Sequence, residues 1–401
     1  MHSDIRISDY TYILPDERVA KYPLAERDSS RLLICKNHAI TEDKFSSIVD
    51  YLPDSSHIIF NNTRVVPARL LFRKDTGALI EIFCLEPVSP ADYARSFASL
   101  SPCRWRVIIG NAKRWKSGRL SINTSQFILY VELIEKETNS YIVEFSWNNN
   151  LTFSEVIDLC GKIPIPPYLN RDTELIDYER YQTLYAKYRG SVAAPTAGLH
   201  FTDEVLERLK IKGISMDNIC LHVGAGTFIP VKGDNISDHQ MHSEPFSVTK
   251  EFLKRIIDYK SLGEQIIAVG TTTVRTLESL YYLGLQCNND INDEFRLEAV
   301  SQWDPYSIKE DIGTIDAISK LLRYMERRNL DTLEVKTSII IVPSFKFRIT
   351  DVMVTNFHQP QSTLLLLVAA FIGEDWRKVY EYALQNEFRF LSYGDSSLLI
   401  R

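Results

Sequence analysis

The sequence predicts an α/β protein: a mixed-sheet α/β core interrupted by an inserted antiparallel β-barrel. Two observations carry this. Before residue 68 and after residue 150, apolar runs ending in Gly, Thr, Asn or His alternate with helical patterns, which is the alternation of a layered α/β sheet. Between them, from about Ala68 to Trp147, short runs rich in β-branched and aromatic residues are separated by polar turns, the pattern of an antiparallel module. The expected organisation is 1–67 as a first core segment, 68–150 as the barrel and 151–401 as a second core segment. Within the last, 284–337 reads as a helical elaboration.

In chain order, HIIFNNT is the first core strand, and ALIEIFCLEPV, RWRVIIG, GRLSI, QFILYVELIE and SYIVEFSW are the barrel strands. Thr202 and Asp203 are placed to cap the helix DEVLERLK. ICLHVGAGTFIPV is a strand running into glycines at 224 and 226, which permit close backbone approach or simply a tight turn. In QIIAVGTTTVRTLESL a strand stops at Gly270, Thr271–Thr273 can cap a helix, and Arg275 and Glu278 lie one turn apart. TIDAISKLLRYMERR has the apolar spacing of an amphipathic helix. In DVMVTNFHQPQSTLLLLVAAFIG a strand yields at Thr355-Asn356, His358 sits in a loop, and Ser362 or Thr363 starts a buried helix.

At 401 residues, 45% hydrophobic and 24% charged, the chain has an ordinary globular composition. Its net charge of -6 excludes a body coated in basic surface, so nucleic-acid contact must come from a local patch. Six isolated cysteines form no C-x-x-C pair, which favours a reducing compartment over a disulfide framework. No signal-peptide core or bilayer-length apolar run is present, so a cytoplasmic protein that does not span a membrane is expected. RGSVAAPTAGLHFT has two glycines but lacks the lysine of a phosphate-binding loop. HQMHSE, with His222 as a further ligand, invites a zinc reading, yet Pro245 argues for a loop and hydrogen bonding takes precedence over metal. Arg64 and Arg69 near a turn, and Lys113, Arg114 and Lys116 around Trp115, combine phosphate-binding charge with an aromatic, as RNA recognition requires.

PLAERDSSRLL, FNNTRVVPARL, PIPPYLNR, ERYQTLYAKYRGSVAAPTAGLHFT, LHVGAGTFIPV, HQMHSE, AVGTTTVRTLES, TNFHQPQSTLLLLVAAFIG and RFLSYGDSSLLI, in that order, span about residue 10 to residue 400. Together they closely resemble the S-adenosylmethionine:tRNA ribosyltransferase-isomerase family of queuosine biosynthesis. Against that family's pattern, Gln359 replaces a leucine, Thr272 or Thr273 a serine, and the segment between TLES and TNFH is longer. The resemblance implies transfer and isomerisation of the ribosyl moiety of S-adenosylmethionine onto 7-aminomethyl-7-deazaguanine at the wobble position of GUN-anticodon tRNA. The implied products are epoxyqueuosine-tRNA, adenine and methionine. The alternative is a catalytically divergent tRNA- or S-adenosylmethionine-binding paralogue.

Such chemistry needs a base for the 5′ carbon acidified by the sulfonium and an acid for departing adenine. The donor carries its own electrophile, so no metal or cofactor is expected. His200, His222, His242 and His358 lie inside the resembling blocks, and Asp395 and Glu278 are the best-placed acids; these are the catalytic candidates. Gly224, Gly226, Thr227, Gly270, Thr271, Thr272, Arg275 and Asn356 are candidates for holding substrate, with Arg275 or the helix start meeting the methionine carboxylate. A monomer is expected.

Overall fold

The computed structural model describes residues 5–138, 140–224, 233–287, 296–297 and 299–401. The first core segment supplies β1 (Arg31–Lys36), β2 (Ala39–Lys44), β3 (Ser56–Asn61) and β4 (Thr63–Val65). β5 (Arg69–Arg73), β6 (Leu79–Ser89), β7 (Cys103–Gly110), β8 (Leu120–Asn123), β9 (Ile128–Lys136) and β10 (Tyr141–Trp147) follow. The chain then returns through β11 (Tyr188–Ser191), β12 (Ser215–Leu221), β13 (Glu244–Thr249) and β14 (Gln265–Val269). It ends with β15 (Ala299–Val300), β16 (Thr332–Thr337), β17 (Val352–Asn356) and β18 (Ser396–Ile400).

Among the described residues the core is a ten-stranded sheet in the order β15-β16-β13-β12-β3-β14-β17-β18-β1-β2. Its centre, β12-β3-β14-β17, is parallel, so four strands deliver their carboxyl ends to one edge. Side chains alternate across it as period two demands. Ile59, Ile219, Ile266, Ala268, Met353 and Leu399 pack in the core on one face, while Ile58, Phe60, Ile267, Val269, Val354 and Leu398 pack in a second core on the other. Fully burying each such side chain is worth about 1.5–3 kcal/mol. The near-continuous apolar runs of these strands reflect coverage on both faces.

β5 to β10 form a separate six-stranded antiparallel sheet in the order β5-β6-β7-β10-β9-β8. Its edge strands β5 and β8 lie against each other, nearly closing a barrel, and alternate residues such as Leu70, Phe72, Ile80, Ile82, Val143 and Phe145 fill it. Trp115 belongs to this core at 2% exposure, and its indole N–H donates to the Gly118 carbonyl at 3.0 Å. It therefore offers no face to an RNA base, contrary to the reading of that hairpin as mixed charge and exposed aromatic.

The caps follow the sequence. Thr202 accepts from the Val205 N–H and starts the helix Asp203–Ile211, Thr249 accepts from Phe252 to start Lys250–Ser261, and Ser362 accepts from Leu365 to start Thr363–Ile372. The segment 284–337 is helical only in part. Thr314–Arg327 is the amphipathic helix expected, but β15 and β16 extend the main sheet at its edge.

Candidate functional site

A cleft with about 1540 Å³ of empty space, its open mouth included, lies where β14 and β17 end. Open α/β sheets place ligands at this edge because the strands stop there and the following loops diverge. Ala193, Ala194, Pro195, Thr196 and Ala197, from the small-residue loop RGSVAAPTAGLHFT, form one wall. Their short side chains leave room without a phosphate-loop lysine. His239, Met241, His242 and Glu244 form another, Asn356 ends β17, and His358 and Ser362 come from the turn after it.

The floor is the start of the helix Thr271–Gln286. Gly270 ends β14 with φ +89°, a conformation that side chains resist, and its N–H donates to the Val354 carbonyl at 2.8 Å. Having no side chain, it provides no cap, so the first-turn N–H groups are left for a ligand. The threonine hydroxyls do not cap the helix start: Thr273 donates back to the Val269 carbonyl at 2.7 Å and Thr276 to Thr272 at 3.0 Å. The Thr272 hydroxyl is buried without a partner.

Arg275 lies one turn further, 6% exposed. Its Nη1 donates to Glu244, which also accepts from the Gly224 N–H at 3.2 Å, and its Nε donates to the Ile339 carbonyl at 3.2 Å. Nη2 is buried without a partner. Arg275 and Glu278, one turn apart, do not pair with each other: Glu244 takes the arginine. Glu278, fully buried, accepts instead from the backbone N–H groups of Arg348, Ile349 and Thr350 at 2.7, 3.2 and 2.8 Å. Burial raises its pKa despite those bonds.

Of the histidines, His239, His242 and His358 line the cleft. His358 Nε2 lies 2.9 Å from the Thr355 hydroxyl, and burial of the ring pushes its pKa down to about 3, so it is neutral near pH 7. His200 stands behind the wall. Its Nδ1 meets the Ser30 hydroxyl at 2.7 Å and its Nε2 the Asn356 side-chain oxygen at 3.2 Å, while burial lowers its pKa to about 4. The Asn356 amide donates onward to the Leu391 and Ser392 carbonyls at 2.9 and 3.3 Å. His200 therefore orients a cleft residue without lining the cleft. Because side chains alternate beyond β12, Val223 enters the cleft while His222 turns to the barrel, its ring tilted against that of Tyr93 with centroids 4.7 Å apart and its Nδ1 2.9 Å from the Thr63 hydroxyl. Burial lowers its pKa to about 4.

Asp395 is 2% exposed and accepts from the Arg31 and Arg389 N–H groups at 3.0 and 2.8 Å, which ties two segments together away from the cleft. Gly226 and Thr227 lie outside the described residues. The structure thus brings together His242, Gly270, Thr271, Thr272, Arg275, Asn356 and His358, and places His200, His222, Glu278, Asp395 and Gly224 around but not in the cleft. Among the described residues no group of three or more His, Cys, Asp or Glu could hold a metal ion. Sequence reasoning missed Glu244 as the partner of Arg275, and the wall residues Tyr168 and Tyr181. No local spacing signals either.

On the RNA side, Arg64 is exposed on β4, and Lys113, Arg114 and Lys116 are exposed beyond β7. Arg69 is instead tied to Glu81 across β5 and β6, at 2.5 Å.

An α/β protein whose cleft joins an uncapped helix start, an arginine with a spare donor and the neutral His358 imidazole is built to bind and transform a small substrate bearing an anionic group. The chain belongs to the queuosine biosynthesis protein family, whose model matches residues 7–399. Among its relatives, an S-adenosylmethionine:tRNA ribosyltransferase-isomerase from Trichlorobacter lovleyi is 36% identical over 98% of this chain and 99% of its own. Proteins of the same name from Halothermothrix orenii and a Sulfurihydrogenibium species are 35% and 36% identical over 99% of this chain and all of theirs. The crystal structure of an S-adenosylmethionine tRNA ribosyltransferase from Thermotoga maritima is 27% identical, covers 98% of this chain and 100% of that one, and gives a TM-score of 0.47.

Proposed function

We propose that this protein is an S-adenosylmethionine:tRNA ribosyltransferase-isomerase that converts 7-aminomethyl-7-deazaguanine in tRNA to epoxyqueuosine, releasing adenine and methionine. The observation that carries the assignment of the donor site is the convergence at one helix start of free N–H groups, the unpartnered Thr272 hydroxyl and the unpartnered Arg275 Nη2. Buried donors without partners are costly in a folded protein. A carboxylate such as that of the donor's methionine satisfies all three, and the helix dipole favours its charge. Glu244 already neutralises Arg275, so the seat adds donors without excess charge.

The proton transfers fall to groups at the cleft. His242 and His358 line it, and His358, kept neutral, presents a lone pair or an N–H to substrate. His200 acts through Asn356, fixing which face of that amide the substrate meets. The sulfonium acidifies the 5′ carbon and is its own leaving group, so the residues need only move protons and hold the reactants. The reading includes a wobble base in GUN-anticodon tRNA, with Arg64 and the Lys113–Lys116 tip as phosphate contacts. It also includes a monomer in the cytoplasm, the compartment being in keeping with six cysteines that form no disulfide. No helix of the described residues is long and apolar enough to cross a membrane.

The test mixes purified protein with S-adenosylmethionine and tRNA carrying either the deazaguanine base or guanine, and follows free adenine and methionine by chromatography. Release of both, dependent on the deazaguanine, is expected. Absence of release with both substrates bound overturns the proposal.

A further inference from the structure

Behind the cleft wall is a second, smaller recess of about 290 Å³ with its open mouth included. Arg27, Ser30, Arg180, His200 and Arg389 line it. Arg27 is held by backbone alone, its Nη1 and Nη2 each donating at 3.1 Å, to the Leu199 and Glu179 carbonyls. Arg180 Nη1 donates to the Ala25 carbonyl at 2.9 Å, while its Nε is buried without a partner. Among the described residues no carboxylate lies within ion-pairing distance of Arg27 or Arg180, whereas Arg389 is paired with Asp395 at 3.2 Å. Burial and the nearby Arg180 charge both lower the Arg27 pKa, although Glu179 opposes them. Two guanidiniums are thus fixed beside one another with charge that the protein does not neutralise.

We infer that this recess seats a backbone phosphate of the RNA substrate, close to the nucleotide whose base enters the cleft. The inference rests on the ribosyl-transfer reading above and extends it to how the RNA is anchored. Fixed guanidinium donors match phosphate oxygens in geometry and charge. Ser392 lines both the recess and the cleft, and His200 reaches from the recess to Asn356 in the cleft. A phosphate here is therefore one side chain away from the reacting base. Tyr22, next to the recess residue Pro23, is 49% exposed with Arg171 over its ring at 4.4 Å. An exposed aromatic beside a phosphate seat suits a polynucleotide, whose neighbouring base can stack, more than a free phosphate.

Arg180→Met keeps the length of the side chain and removes its charge. Substrate-tRNA affinity, measured by fluorescence anisotropy over a salt series, is expected to fall about fivefold to tenfold near 0.15 M salt. The slope of log affinity against log salt should shrink by roughly 0.7, one phosphate contact on unpaired RNA. R180K should recover most of the loss, and the KM for S-adenosylmethionine should not move. Unchanged affinity and slope in R180M overturn the inference. If R180M keeps its RNA affinity but loses saturable binding of inorganic phosphate, the recess serves a small phosphate and the RNA assignment fails. Adenine release by the unaltered protein is scored separately: release with no effect of R180M removes only the phosphate seat. Weakened RNA binding in R180M without release by the parent removes only the chemistry.

Discussion

The Thr272 hydroxyl separates function from stability. It is buried and unpartnered in the free protein, so Thr272→Val replaces a polar atom that bonds nothing with a methyl group of similar shape. Thermal unfolding of T272V should therefore match or slightly exceed that of the parent. The KM for S-adenosylmethionine should rise roughly tenfold, the worth of one hydrogen bond to a charged group. A variant that melts lower with an unchanged KM would make the hydroxyl structural. Residue types at the site were legible: the Gly-Thr-Thr-Thr-x-Arg run and Asn356-Phe357-His358 both reached the cleft. Which way each histidine points was not. His200 and His222 lie in blocks as polar as that of His358, and what turns them away is tertiary: Phe45 and the Ser30 hydroxyl against one, Tyr93 and the Thr63 hydroxyl against the other.

Elements depend on contacts that a linear pattern does not contain. Gly284, near the end of the helix Thr271–Gln286, lies against the helix Thr314–Arg327 so closely that a Cβ there would sit 2.2 Å from the Ala317 carbonyl oxygen. Both sides are helix backbone, so neither can yield without moving its helix. Gly284→Ala should cost about 1–3 kcal/mol, as overpacking does, despite the helix propensity that alanine adds. The start of the same helix floors the cleft, so its displacement should also raise the donor KM; urea unfolding and initial-rate kinetics on one sample check both. Unaltered unfolding would mean that the two helices slide apart freely. Strand and helix positions were legible because burial on both sheet faces leaves long apolar runs. β15 and β16 were hidden, as β16 alternates TLEVKT with exposed Thr, Glu and Lys at a sheet edge and β15 has two residues. The insertion of the barrel was visible as a change of period, but its near closure through β5 and β8 joins segments far apart in sequence.

For the whole molecule, the buried imidazoles set an acid limit. Burial lowers His200 and His222 to about 4 and His358 to about 3, all from 6.5. The unfolded chain thus binds protons at these sites before the folded one does, and stability rises with pH across that interval. The contribution is complete above about pH 6.5 and is lost as pH falls toward 4. For His200, 4% exposed, a depression of this size corresponds to something on the order of 3 kcal/mol. Glu278 works in the opposite direction: its raised pKa lets the folded state take up a proton first on acidification, which offsets part of the loss. Burial also lowers His239 and raises Asp304, so among the described residues four lowered imidazoles stand against two raised carboxyls, and the melting temperature should drop steadily from pH 7 to pH 5 in buffers of equal ionic strength. His200→Gln keeps a donor for Asn356 but cannot titrate, so its curve should fall less steeply, by up to one proton. A slope equal to the parent's would show that His200 does not remain neutral in the fold, and would remove the basis for treating it as a fixed support for Asn356.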